Sequence, residues 1–582
     1  MSALSARSSV ERSAPATRWW LPSAAGLVIV LAGALAYHNS LGGPFIFDDP
    51  RSIRDNPTIR SLWPIWPLLS PPAEGLAIQS RPVINISLAI NYAIGGLDVR
   101  GYHIFNLVVH ILAALTLFGI IQRTLHLAVM PEHIARSSLP LAFVAALIWA
   151  VHPLQTEAVT YIIQRTESLM GLFYLLTLYC MIRGAGAVRP FWWYVAAVVA
   201  CTLGLGSKEV MVTAPLIVLL YDRVFLARSL KQVFRHRWPL YIGLAATWVL
   251  LAALVIPPGG RGSSVGFGYW AALRAYIPGQ AIVVVRYLRL SFWPSPLIID
   301  YGIFRTGSAA QVLPYAVILV LLLVGTVLAF RDRPWQGFLG VWFFAILTPS
   351  STLVPLLIQP AAEKRMYLPL AAVIVAVVIC TYGLGRRLAS RLGPHLGTIV
   401  GQLAGVGLTA AAVLILGFLT VRRNCDYRSE LAIWQDTVDK LPHSYHAWNS
   451  RGAAYQDVGD YDQAIHDYTQ ALRLNPQFAQ TYRNRGLARS KKGRYDQAIE
   501  DYTHAIKLKG NYAEAYNSRA VAHYHKHQYA RARADARRAQ ALGYKVAPGF
   551  LEALRKAPHD NYRPTKKHSS AGTPPLGAAA LR

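Results

Sequence analysis

Charge is scarce in this chain, and negative charge scarcer still. Only 15% of its 582 residues are charged, and 29 Asp and Glu stand against 58 Lys and Arg. A soluble globular protein carries about 25% charged residues, so the deficit excludes an ordinary soluble enzyme. Hydrophobic residues make up 54% of the chain and the mean hydropathy is +0.31, which excludes disorder as the main theme. Cysteine is nearly absent. Cys180, Cys201, Cys380 and Cys425 lie far apart, three of them inside apolar segments, so neither a disulfide framework nor a zinc site is supported. The isoelectric point near 10.1 would suggest nucleic acid in a soluble protein. Here the basic residues sit between apolar runs, which reads as membrane topology and not as nucleic-acid binding. The chain reads as a polytopic membrane protein.

A bilayer core of about 30 Å needs roughly 20 apolar residues in a helix. Eleven runs qualify or nearly do: 19–37, 102–122, 138–151, 166–183, 190–206, 209–226, 238–256, 312–330, 336–348, 366–385 and 398–421. Those at 138–151 and 336–348 are short. The first is no cleaved signal peptide, because no small-residue cleavage site follows it and Tyr37-His38-Asn39 ends it. Basic residues mark the even-numbered connections: Arg183 and Arg189, then Arg228, Lys231, Arg235 and Arg237, then Arg331 and Arg333, then Arg386, Arg387 and Arg391. The positive-inside bias puts these connections, and a tail at 1–18, in the cytoplasm. The count closes if 257–311, with Arg261, Arg274, Arg286 and Arg289, stays on the outer face as a loop with interfacial helices. The expected order is a cytoplasmic tail at 1–18, a bundle at 19–421 with outer loops 38–101 and 257–311, and an outward-facing C-terminal part.

A period of 34 governs the region after 427. Trp448, Tyr482 and Tyr516 align, as do Gly452, Gly486 and Ala520, then Ala464, Ala498 and Ala532, then Ala471, Ala505 and Ala539. Tyr427, Tyr461, Tyr495 and Tyr529 share the offset, and Pro442 returns as Pro476. This is the tetratricopeptide pattern: small residues where two helices cross, aromatics in the gaps, proline ending the second helix. Three repeats are expected within 427–545, preceded by the second helix of a degenerate one whose Trp434 fills the aromatic slot. Ala520 and His523 mark the third as a cap. Such arrays stack into a superhelix whose concave groove holds an extended peptide or a partner protein. Residues 557–582, rich in Pro, Gly, Ala and Lys, read as disordered. The fold class is all-α, a polytopic helical bundle followed by an α-solenoid.

The outward connections hold the unusual residues: Phe47-Asp48-Asp49-Pro50, His152-Pro153-Leu154-Gln155-Thr156-Glu157, Ser207-Lys208-Glu209 and Glu363-Lys364-Arg365. Ionisable groups at the edge of a bundle are expensive to bury and tend to be functional. A donor carrying a sugar on a lipid phosphate keeps that phosphate at the interface, and its enzyme needs a base for the acceptor hydroxyl and cations for the leaving phosphate. Asp48 and Asp49 supply the first, although a turn before Pro50 favours the same residues. Lys208, Arg165 and Arg365 supply the second, since arginine's planar fork binds two phosphate oxygens at once. His103, Asn106 and His110 lie at i, i+3 and i+7 on one face of the second span, and His152 and Glu157 follow the third. No compact ligand set emerges, so hydrogen bonding between helices is favoured over metal ligation. The expected chemistry is a single inverting displacement that needs no divalent metal or other cofactor.

Several motifs recur in a familiar order. They are Phe47-Asp48-Asp49 with Asn56-Pro57, Arg81-Pro82, Gly101-Tyr102-His103 with Asn106 and His110, and His152-Pro153. Thr156-Glu157-Ala158-Val159, Ser207-Lys208-Glu209, and Glu363 with Arg365 and Tyr367-Leu368-Pro369 follow, and the repeats complete the series. In that order the chain resembles the transmembrane and tetratricopeptide-repeat O-mannosyltransferases and their bacterial relatives, glycosyltransferases of GT-C type. The resemblance implies transfer of a hexose, typically mannose, from a polyprenyl-phosphate donor to a Ser or Thr hydroxyl. It makes Asp48 and Asp49 the catalytic pair, with Arg81, Glu209 and Glu363 among the supporting polar groups. Few repeats set the chain apart from eukaryotic members, so the acceptor is open: a protein or peptide, a glycan or a lipid. The rival readings are an O-antigen-ligase-like oligosaccharide transferase, a membrane-anchored scaffold and a transporter. Eleven spans exceed what an anchor needs, and a transporter would place its ionisable residues near the midplane. The expected location is a bacterial inner membrane, with the repeats in the periplasm.

Overall fold

The computed structural model describes residues 20–69, 78–255, 270–302, 309–349 and 360–558. The tail expected at 1–18, parts of the loop expected at 257–311 and the stretch after 558 lie outside those residues. Among the described residues every regular element is helical, and they divide into two compact units after Ser429.

The first unit contains α1 (Leu21–Tyr37), α2 (Pro82–Gly95), α3 (Val99–His126), α4 (Ser138–Ala150), α5 (Arg165–Gly186), α6 (Phe191–Leu205) and α7 (Ala214–Tyr221). It continues with α8 (Leu230–Val255), α9 (Trp270–Phe292), α10 (Ala309–Asp332), α11 (Pro334–Thr348), α12 (Pro369–Ala389) and α13 (Pro394–Asp426). Proline opens α1, α2, α11, α12 and α13 within their first two positions, where its missing N–H costs nothing. Asp98 caps α3 by accepting the Arg100 N–H at 3.1 Å. α5 is buried along most of its length and forms the centre of the unit. It runs so close to the chain entering α12 that a Cβ at Gly171 would stand 2.5 Å from the Tyr367 ring. At the other extreme, α10 has no buried residue, and its Val317, Leu321 and Val327 are exposed apolar surface, as a lipid-facing helix requires.

The described parts of the eleven apolar runs fall on helical segments, and among the described residues six helices are long and apolar enough to cross a membrane: α1, α3, α5, α10, α12 and α13. A seventh crossing exists if α4 and the segment Pro153–Thr160, bent by 53°, count as one. Pro153 causes that break, since it can neither donate to the preceding turn nor fit inside it. α2, α6 and α11 are apolar but shorter. Within the stretch expected as an outer loop, α9 is a 23-residue helix whose Arg286 and Arg289 keep it from reading as a plain apolar span.

The second unit is built from α14 (Glu430–Lys440), α15 (Tyr445–Asp457), α16 (Tyr461–Leu474), α17 (Ala479–Lys491), α18 (Tyr495–Leu508), α19 (Ala513–His525), α20 (Tyr529–Ala541) and α21 (Pro548–Lys556). The period-34 reading places these helices, with one addition. α21 closes the array, packing Phe550 and Leu554 onto Val521, Ala532 and Ala536. Gly459 and Gly493 adopt φ of +84° and +72° between the paired helices, a left-handed step that glycine takes without cost.

The departure of the third repeat from glycine has a packing reason. A Cβ at Gly452 would meet the Tyr468 ring at 2.9 Å, and one at Gly486 would meet the Tyr502 ring at 2.7 Å. One period later, Ala520 faces a repeat in which Ala536 replaces the tyrosine. The small and large partners are exchanged together. Gly486→Ala is therefore expected to cost about 1–3 kcal/mol by overpacking. Adding Tyr502→Ala, which copies the third repeat, should cost less than the two single losses combined. Chemical denaturation of the wild type, the two single variants and the double variant checks both statements.

A ladder of charge also follows the period. Arg451, Arg485 and Arg519 each send two nitrogens to both oxygens of Asp467, Asp501 and Asp535 in the second helix of the same repeat, at 2.7–3.1 Å. The third nitrogen reaches the helix before, to Gln435, Thr469 and Thr503 at 2.8, 3.2 and 3.0 Å. Each guanidinium also lies over Trp448, Tyr482 or Tyr516 of its own helix.

Candidate active site

The two aspartates of the first loop part company. Asp49 is fully buried. Its Oδ2 accepts the N–H of Ile46 at 3.1 Å and its Oδ1 the N–H of Ile163 at 2.8 Å, so it pins the loop to the segment that enters α5. Burial pushes its carboxyl up to about 8, against the two N–H donors and the positive charge of Arg165. Asp48 is exposed. Its backbone N–H donates to the Tyr161 hydroxyl at 3.0 Å and its carbonyl accepts from Ser52 at 3.0 Å. The Asp48 side chain makes no hydrogen bond or ion pair among the described residues.

The cations of the other motifs are already matched. Lys208 forms a buried ion pair with Glu167. Arg81 faces Glu209 at 3.5 Å, and the two turns that carry them meet where the Val83 N–H donates to the Gly206 carbonyl at 3.3 Å. Lys364 reaches Glu157 at 3.1 Å, and its backbone N–H donates to the same carboxylate at 2.9 Å. Arg365 donates to the Pro360 carbonyl at 2.7 Å. Arg165 has no exposed surface. Its guanidinium donates to Asn91 at 2.7 Å, to Tyr102 at 3.2 Å and to Ser87 at 3.4 Å, and lies over the Phe105 ring at 4.6 Å. Desolvated in this way and spent on α2 and α3, it holds those helices to α5, which sets it apart from the other cations as a phosphate ligand.

Glu363 anchors the turn before α12. It accepts from the backbone N–H of Ile298 and from the Tyr301 hydroxyl at 2.8 Å, and Arg423 of α13 faces it at 3.6 Å, longer than a hydrogen bond. Burial pushes its carboxyl from the ordinary 4.5 to about 7, with Arg423 pulling down and Glu157 pushing up. Because the folded value lies above the unfolded one, the folded state holds this proton more tightly. The stability tied to it is complete below about pH 4.5 and is lost as pH rises through about 7. The unfolding midpoint of the wild type is expected to fall over that window relative to Glu363→Gln, which cannot titrate. Differential scanning fluorimetry across pH measures the gap.

The histidines bind helices together. His103 Nε2 lies 3.0 Å from the Gly43 carbonyl. His110 spans the Tyr367 hydroxyl and the Ala150 carbonyl at 3.0 and 2.9 Å. Asn106 donates to the carbonyls of Val159 and Ile162, both at 3.2 Å. His152 accepts from the Leu154 N–H at 3.2 Å and faces the Ser291 carbonyl at 3.2 Å. No group of three or more His, Cys, Asp or Glu converges among the described residues.

Tetratricopeptide-repeat models match the second unit over 445–478, 467–500 and 489–526. A protein O-mannosyl-transferase of Caenorhabditis elegans is 24% identical over 476 residues, 78% of this chain and 63% of its own length. The human protein O-mannosyl-transferase TMTC1 is 25% identical over 518 residues, 78% of this chain and 56% of its own. The homologues of this chain are transmembrane and tetratricopeptide-repeat O-mannosyltransferases. The chain spans between half and two thirds of the length of these relatives. Among solved structures, an oligosaccharyltransferase of Archaeoglobus fulgidus tethered to an acceptor peptide overlaps 77% of this chain and 59% of its own, at 14% identity and a TM-score of 0.41.

Sequence motifs that resemble the O-mannosyltransferases thus meet in space: the first loop, the segments 152–167 and 206–209, and the turn 363–366. Three participants carry no motif of their own. Tyr161 touches the Asp48 backbone, Glu167 holds Lys208, and Arg423 faces Glu363. Only contacts across the fold reveal them.

Proposed function

We propose that the first unit is a membrane glycosyltransferase that moves a hexose, mannose in the first instance, from a polyprenyl-phosphate donor to a Ser or Thr hydroxyl of a protein acceptor. The observation that carries this reading is Asp48, an exposed carboxylate on a loop that Asp49 pins to the segment 157–167, whose Glu157 and Glu167 hold Lys364 and Lys208. Asp48 takes the proton of the acceptor hydroxyl, the oxygen attacks the anomeric carbon, and the bond from that carbon to the phosphate oxygen breaks with inversion. Polyprenyl phosphate leaves with the bonding electrons, and Lys208 and Arg365 neutralise it, with Arg165 contributing its charge from inside the bundle. Both Asp49 oxygens are held by backbone N–H groups, so the acidic pair is poorly arranged to chelate a metal, and the reaction runs without a divalent ion. The tetratricopeptide repeats bind the acceptor or a partner protein. The site faces the periplasm of a bacterial inner membrane, with eleven crossings and the N-terminus inside.

The test uses the purified full chain in detergent with radiolabelled polyprenyl-phosphate mannose and a mixed Ser/Thr peptide pool. Label on peptide, undiminished by EDTA, is expected. Donor binding without transfer would move the acceptor to another class, and absence of both would leave a scaffold.

A further inference from the structure

Asp48 projects from a loop of its own backbone, and something must hold that backbone still. Phe47, the residue before it, adopts φ of +53°. That left-handed conformation is unfavourable for a side chain with a bulky Cβ substituent, and it persists only where surrounding structure imposes it. The imposing group is Tyr161, in the short turn that leads into α5. Its ring meets the Phe47 ring edge to face, with centroids 5.4 Å apart, and its hydroxyl accepts the Asp48 N–H at 3.0 Å. Tyr161 is itself 4% exposed and two residues from Ile163, whose N–H is held by Asp49. One side chain therefore grips the residue before the carboxylate and the amide of the carboxylate residue itself.

We infer that Tyr161 is the positioning residue of Asp48, fixing the aspartate through its hydroxyl oxygen and holding the left-handed Phe47 through its ring. The inference rests on reading Asp48 as the base. It assigns Tyr161 no contact with substrate. Removing the hydroxyl leaves the ring contact and the fold, and frees the Asp48 amide. A misplacement of about 1 Å in a catalytic group can cost roughly 10²-fold in rate, so a loss of about ten- to a hundredfold is expected.

The experiment compares wild type, Tyr161→Phe and Phe47→Gly as full chains in detergent. Three readouts are taken: transfer kinetics, the unfolding midpoint, and hydrogen exchange of the peptide containing Asp48. Tyr161→Phe should lower kcat by that factor, leave KM for the donor unchanged, keep the wild-type midpoint, and speed exchange at Asp48. Phe47→Gly, which accepts the left-handed backbone but loses the ring, should show the same pattern more weakly. Wild-type kcat with unchanged exchange in Tyr161→Phe overturns the inference. So does a rate loss that comes with a raised KM and a lowered midpoint, since that is a structural defect. If the wild type transfers no sugar, the transferase reading fails on its own. The positioning of Asp48 is then decided by exchange alone, faster exchange upholding it and unchanged exchange overturning it.

Discussion

Asp48→Asn is expected to cut peptide glycosylation by about 10²–10⁴-fold, the usual worth of a positioned general base, while leaving the unfolding midpoint at its wild-type value. The carboxylate is exposed and supports nothing in the described fold, so its amide replacement costs no contact. Asp49→Asn should behave in the opposite sense. Its two oxygens accept two backbone N–H groups in a fully buried site. An amide can offer one oxygen only, and its NH₂ then faces a buried donor. That mismatch costs about 1–3 kcal/mol and should show as a lowered midpoint, with loss of transfer secondary to disturbance of the loop. Transfer assays and thermal unfolding on the same preparations separate the two aspartates. A stable, inactive Asp49→Asn beside an active Asp48→Asn would move the base to Asp49.

Arg451→Met should be the most damaging single change in the repeats, and Arg485→Met a milder one. Asp467 is fully buried, and besides His466, whose Nδ1 stands 3.1 Å from one oxygen, Arg451 is its only basic partner among the described residues. Removing the guanidinium from a buried pair costs about 3–5 kcal/mol, and a single half-exposed imidazole is all that stays on Asp467. Asp501, by contrast, is held by Arg485 and also by Arg489 at 2.8 Å, so it keeps a counter-charge when Arg485 is lost. Native-state hydrogen exchange across α15 and α16, against α17 and α18, reads the difference within one chain. Equal losses would mean that Arg489 lends Asp501 no support.

Most helices of both units were legible in the sequence because each rests on local pattern; α2, inside the stretch expected as the outer loop 38–101, and α21, beyond the last repeat, were not. The apolar runs fall on helices, and the period of 34 places α15 to α20. How many of these helices cross is less legible, because the short run 138–151 is followed, after a bend of 53° at Pro153, by a second helical segment that carries Gln155 and Glu157. For the site, sequence indicated which turns matter and failed on what their side chains do. Asp48 and Asp49 are adjacent and identical, and what separates them is the N–H of Ile163, 114 residues away. Lys208 is matched by Glu167 across 41 residues and Lys364 by Glu157 across 207, distances over which charge pattern carries no pairing information. Arg165 looks like any phosphate-binding arginine until its acceptors on α2 and α3 are seen. The arginine ladder of the repeats is a different case: Arg451, Arg485 and Arg519 recur at the same offset as the glycines, and comparison of charged positions would have found them.

On the function proposed above, the matched cations of the motifs have a consequence for turnover. An anion entering a rim of unpaired lysines and arginines would be held tightly before and after reaction. Here Lys208 and Lys364 already have Glu167 and Glu157 as placeholders. On the proposed reaction each lysine would exchange its carboxylate partner for the incoming phosphate group, and the built-in carboxylate would return when the lipid product departs. Such an arrangement would favour quick release of the spent carrier over tight capture.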